Sequence, residues 1–298
     1  MHGKPFPRWL SVAILMTIAT TFGSNHIAAR FAFDHGVNVT TAVAGRSIGA
    51  ALFVLVLLIA SRVPLALPAA TRWRAVAIGV LIAVQSYCLY SAVARIPVAL
   101  ALLAFNTFPM MFSLLSWANG SERPSRRALI AMPVALFGLA LALDVVGRSG
   151  GIAGRWAEIG AGVGFAIGAA VSFAAALFLT SRWLKDVDGR LRTFFTMSTV
   201  AVLLLAAGAF AGTLALPDNP GGWLGLGLLT LFYGTAFTAL FVLLPRLDAL
   251  NNSAALNFEP IAVLFLAWPI LGQSVAPLQL AGAVIVVGAV VALGSAKH

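Results

Sequence analysis

The sequence predicts an all-α integral membrane protein: ten transmembrane helices in two five-helix inverted-topology repeats around a central cavity. Three observations carry that expectation. The 298 residues are 61% hydrophobic and only 9% charged, with a mean hydropathy of +0.99. The apolar residues gather into ten runs, each long enough to cross a bilayer. The second half of the chain repeats rare residues of the first in one register.

Composition comes first because it sets the solvent. A water-soluble domain carries about 25% charged residues, so this chain lacks the polar surface that water demands. Net charge is +10, but Lys and Arg sit in short gaps between apolar runs rather than in a basic stripe, which argues against nucleic acid as a partner. The single cysteine, Cys88, permits no intramolecular disulfide.

The runs are Trp9–Ala29, Thr40–Ala60, Ala75–Ala94, Val98–Ala118, Ala128–Val146, Ile159–Ser181, Thr193–Leu214, Trp223–Leu244, Ala249–Leu271 and Val275–Leu293. A spanning helix needs about 20 apolar residues. Strands of a membrane barrel are much shorter and alternate in polarity, so helices are expected. The first run follows a basic stretch, MHGKPFPRW, but is longer than a signal-peptide core and is read as a retained helix. With a cytoplasmic N-terminus, the cytoplasmic segments hold fourteen Lys and Arg residues. The external ones hold four: Arg30, Arg95, Arg148 and Arg155. The positive-inside rule therefore places both termini in the cytoplasm; the expected location of this multi-pass protein is the inner membrane.

The repeat aligns RIPVALALLAFNTFPMMFSLLSWANG, from Arg95, with RLDALNNSAALNFEPIAVLFLAWPIL, from Arg246. At a constant offset of 151 residues Arg95 meets Arg246, Asn106 meets Asn257, Pro109 meets Pro260 and Trp117 meets Trp268. Gly138 meets Gly288 one residue out of that register. The expected units are 1–146 and 159–298, joined by an external linker at 147–158. An odd number of helices per unit inverts the second copy, which puts a pseudo-two-fold axis in the membrane plane.

These features resemble the drug/metabolite transporter superfamily in its EamA branch, and the segment Asn257–Leu293 is similar to that family's second-half signature. The resemblance implies a transporter rather than an enzyme. The expected activity is export or facilitated movement of amino acids, aromatic or hydrophobic ones favoured, and related metabolites by alternating access. Within the family the chain looks most like bacterial amino-acid exporters, including the YddG-like aromatic amino acid exporters. A carrier for another organic solute, such as a drug or nucleotide sugar, is the alternative, with a membrane-embedded enzyme behind it. The family's Gly-Glu pairs after helices 4 and 9 read here as Gly120-Ser121-Glu122 and Gly272-Gln273. Expected partners are a small-molecule substrate and the lipid bilayer, in a monomer or weak homodimer.

Candidate substrate-binding residues follow from cost. Pro109 and Pro260 inside helices 4 and 9 free the carbonyls of Phe105 and Leu256, beside the amides of Asn106 and Asn257. Glu259 is an acid deep in a span, where a carboxylate is expensive and is paired or functional. Ser24, Asn25 and His26 form a polar step in helix 1. Gln85, Ser86 and Tyr90 group in helix 3, and Tyr233 and Phe237 belong to an aromatic stripe in helix 8. Arg46 is read as snorkelling to the interface. Gly160, Gly164 and Gly168 are read as a close-packing face. No second His or Cys stands at metal-ligand spacing from His26, and no phosphate-cradling loop occurs. Neither metal, cofactor nor ATP motor is expected.

Overall fold

The computed structural model describes residues 6–120, 126–142, 151–243, 258–273 and 276–294, and the regular elements among them are helices. In chain order they are α1 (Arg8–Asp34), α2 (Val39–Ala60), α3 (Ala69–Arg95), α4 (Val98–Phe105), α5 (Phe108–Ala118), α6 (Arg126–Ala142), α7 (Gly151–Trp183), α8 (Gly189–Phe210), α9 (Pro220–Leu243), α10 (Glu259–Leu271) and α11 (Pro277–Gly294). Seven stretches have the length and apolarity to cross a membrane: α1, α2, α3, α4 with α5, α7, α8 and α9. Three shorter apolar helices lie in α6, α10 and α11. α10 is only the last part of the ninth apolar run, whose first residues lie outside the described ones. α7 begins at Gly151, so the helix already occupies residues that the sequence assigned to the linker.

Polarity is distributed as lipid requires. Leu52, Val56 and Ile59 on α2, Val202 and Leu205 on α8, and Ile130, Leu136 and Phe137 on α6 face outward. Ser47, Asn25, Arg46, Gln85 and Thr107 are buried. All seven tryptophans are exposed and lie near helix ends: Trp9, Trp73, Trp117, Trp156, Trp183, Trp223 and Trp268. That is where an indole finds both hydrocarbon and headgroup. Helix starts are fixed by short polar side chains. Asn38 Oδ1 accepts from Thr41 N–H at 2.8 Å, and Asn219 Oδ1 from Gly222 N–H at 2.9 Å. Asp188 caps α8 and is held by Arg190, whose guanidinium keeps the carboxyl below its ordinary pKa.

The helix pairings repeat when the halves are exchanged. α3 packs on α7, as α9 packs on α1; α3 on α8, as α9 on α2; α1 on α10, as α4 and α5 on α7. The remaining major pairs, α2 with α8, α6 with α11 and α4 with α10, join equivalent helices. The small-residue face of α7 differs from expectation. A methyl on Gly164 would touch nothing, and on Gly168 would make only ordinary contact with Cys88. The close approach is at Gly162, which abuts Ile96.

Helix 4 is broken rather than kinked, into α4 and α5. Pro109 and Pro260 sit in the first turn of new helices, α5 and α10, where a missing N–H costs nothing. The two helices start 151 residues apart, in the register of the sequence repeat. Leu102 C=O accepts from the backbone N–H of Asn106 and from its side-chain amide, both at 2.8 Å. Thr107 Oγ1 donates to Ala104 C=O at 2.8 Å. Asn106 is therefore first a cap of α4. Asn106→Ala is expected to lower stability by about 1 kcal/mol, read as a lower thermal midpoint. Asn119→Ala, which removes the same kind of bond at an exposed end, is expected to change it little. Gln273 closes the next junction: its Oε1 accepts from Val98 N–H, the first amide of α4, at 3.2 Å.

Candidate functional site

A polar cluster lies inside the bundle, built by α1, α2, α3, α9 and α10. Its first element is a contact between an imidazole and a carboxylate. His26 Nε2 on α1 is 3.4 Å from Glu259 Oε1 on α10. Gly23, one turn earlier on α1, makes this approach possible, because a methyl there would collide with Val263 of α10. Glu259 is the first residue of α10, where the unsatisfied amides and the helix dipole favour a negative charge.

The second element is Arg46 of α2. The sequence reading sent it out to the interface; the structure buries it at 3% exposure. Its guanidinium carbon lies 4.0 Å from the Tyr233 ring centre and 4.7 Å from that of Tyr90. Arg46 Nη2 donates to Ser86 Oγ at 2.8 Å, and Ser86 Oγ–H in turn to Gln85 Oε1 at 3.2 Å. The missed signal is local: Ala44, Gly45, Ser47, Gly49 and Ala50 surround Arg46. A small-residue neighbourhood marks a helix face pressed against other helices, not one open to the interface.

The Tyr90 ring joins the two elements. Tyr90 O–H donates to Asn25 Oδ1 at 2.8 Å, and its ring lies 5.6 Å from that of His26. Beside them Phe22, Tyr233 and Phe237 pack edge to face, at 4.7 to 5.9 Å between ring centres. The result is a charged and hydrogen-bonding centre with an aromatic wall. Four of its buried polar atoms have no partner: Asn25 Nδ2, His26 Nδ1, Arg46 Nε and Ser47 Oγ.

The structure brings together His26, Gln85, Ser86, Tyr90, Tyr233, Phe237, Glu259 and, unanticipated as a site residue, Arg46. Ser24 does not join them. Its hydroxyl donates to Thr20 C=O, and it lines an apolar groove of about 290 Å³ with Phe31, Phe232, Leu266 and Ile270. Phe105 belongs to a separate aromatic group, with Phe108 and Phe173 at 4.8 to 5.4 Å. That group occupies the α5–α7 contact, the counterpart of α10–α1, so one half carries a His–Glu pair where the other carries aromatic rings. Asn106 and Pro109 flank it at the helix break, and Pro260 follows Glu259 in α10. Asn257 lies outside the described residues. A second groove of about 470 Å³, between α3 and α8, is lined by Val80, Val84, Tyr87 and Leu203 and faces outward.

A solved crystal structure of another protein shares this fold. It has a TM-score of 0.66 and 18% identity, covering 97% of this chain and 98% of that one. No curated protein matches the chain. A model of the EamA-like transporter family matches twice, over residues 9–143 and again over 160–295. The two matches take in nearly every residue of the cluster, with α1 to α3 in the first and α9 and α10 in the second. The chain belongs to the EamA-like transporter family.

Proposed function

We propose that this transporter moves amino acids, with aromatic or hydrophobic ones favoured, and related small metabolites by alternating access as an exporter or facilitator. One observation carries the reading: a buried, incompletely partnered polar centre with an aromatic wall, contributed by helices of both halves. A solute with a charged head and an apolar side chain complements both parts. Membership of the family already makes the chain a multi-pass membrane transporter of small solutes. Ten spans, an inverted repeat of units 1–146 and 159–298, an inner-membrane location and cytoplasmic termini complete the proposal. The exchanged helix pairings support the symmetry, and the Lys and Arg bias supports the orientation.

Counterflow in liposomes tests the function. Purified protein preloaded with unlabelled amino acid is expected to take up labelled phenylalanine, tyrosine or leucine well above empty vesicles. A flat response across all amino acids sinks the reading. Orientation is tested separately. In a Cys88→Ala background, Ser149→Cys is expected to react in intact cells with a membrane-impermeant maleimide. Reaction only from the cytoplasmic side overturns the topology.

A further inference from the structure

Arg46 is a full cation inside the bundle, and among the described residues no carboxylate lies within ion-pair distance of it. An unpaired charge taken out of water is costly. The tyrosine rings and Ser86 offset part of that. The rings meet the cation through their π-faces, and the Tyr90 hydroxyl also bonds to the guanidinium. Nη2 is used by Ser86, while Nε–H has no acceptor.

A second unmet donor lies close by. Tyr90 O–H takes the Asn25 carbonyl oxygen, which leaves the Asn25 amide N–H groups buried without an acceptor. The same tyrosine ring lies against Arg46, so both unmet donors border one residue. A cation without a carboxylate partner, with an unmet amide donor beside it, is the complement of an anion. The planar guanidinium fork matches a carboxylate in particular.

We propose that Arg46, with Asn25 as a second donor, is the receptor for a carboxylate group on the transported solute. The substrates are then carboxylate-bearing molecules, and amines that lack this group are rejected. The inference rests on the transporter reading above and narrows its substrate class. The wall of Phe22, Tyr233 and Phe237 stands beside the receptor, where the apolar part of such a molecule is received.

Three probes share one aromatic body and test this on the purified full-length protein. L-Phenylalanine carries both charged groups, 3-phenylpropionate lacks the ammonium, and 2-phenylethylamine lacks the carboxylate. Saturable shifts of the thermal unfolding midpoint give apparent affinities. Phenylalanine and 3-phenylpropionate are expected to stabilise the wild type, and the amine is not. Arg46→Gln is expected to abolish both shifts, and Arg46→Lys to weaken both by about tenfold or more, since a point charge replaces a fork. The receptor is refuted if the amine stabilises as well as phenylalanine, if Arg46→Gln binds both acids normally, or if no probe shifts the midpoint. If 3-phenylpropionate binds through Arg46 and phenylalanine neither binds nor exchanges, the receptor stands and the amino-acid reading fails. If phenylalanine exchanges independently of Arg46, the reverse holds. Should Arg46→Gln fail to fold, the three wild-type measurements and Arg46→Lys decide the matter.

Discussion

Gly282→Leu is expected to destabilise the protein by about 3 kcal/mol or more, at the top of the range for overpacking. In lipid, helices are not driven together by the hydrophobic effect, and close packing takes its place. α6 and α11 meet backbone to backbone. A methyl on Gly282 would collide with the backbone of Ala142 and with Gly138 C=O, and one on Gly138 would lie 2.9 Å from Gly282 C=O. Backbone cannot rotate away as a side-chain tip can, so the helices must separate and lose the contact along their length. Gly288→Leu on the same helix is the control, since a methyl there would touch nothing. Removing a helix-interior glycine there is expected to be neutral or slightly stabilising. Thermal midpoint in detergent and the monodisperse fraction on size exclusion read both variants. Equal behaviour of the two would show that α6 and α11 do not pack as described.

Glu259→Gln is expected to lower the apparent affinity for amino-acid substrate by about ten- to a hundredfold, the worth of one charge-assisted hydrogen bond. Uphill accumulation and downhill counterflow are expected to weaken together. Glutamine keeps the shape and the hydrogen-bonding capacity of the side chain while removing its charge and titration. A loss in both modes therefore reports a carboxylate that holds the solute's ammonium, opposite the carboxylate receptor proposed at Arg46. A carboxylate that carries a coupling proton behaves differently: accumulation disappears and counterflow survives, and that result would overturn the assignment. A carboxylate that only braces α10 against α1 through His26 leaves both modes near normal, which overturns it equally. His26→Gln separates the partners, because it keeps the Glu259 charge while removing the imidazole 3.4 Å away.

Hydropathy and residue spacing are enough to read the solvent, the helical class and the repeat. The apolar runs have the length of a bilayer. The Asn-x-x-Pro elements recur at an offset of 151 residues, the separation of the α5 and α10 starts. Residues whose burial in lipid is costly, such as Glu259 and His26, were legible as site candidates for the same reason. Which face of each helix looks inward emerges from packing alone. In water a polarity stripe marks the exposed face of a helix. Here Leu52 and Val56 toward lipid and Val54 and Leu58 toward the core are chemically alike, so no such stripe exists. That is why Arg46 read as an interfacial residue, and why the close-packing glycine of α7 proved to be Gly162. The pairing of His26 with Glu259, and of Arg46 with Tyr90 and Tyr233, joins positions far apart in sequence. Such contacts depend on helix rotation and crossing, which are set by close approach at Gly23 between α1 and α10 and at Gly225 between α9 and α1, and not by hydropathy.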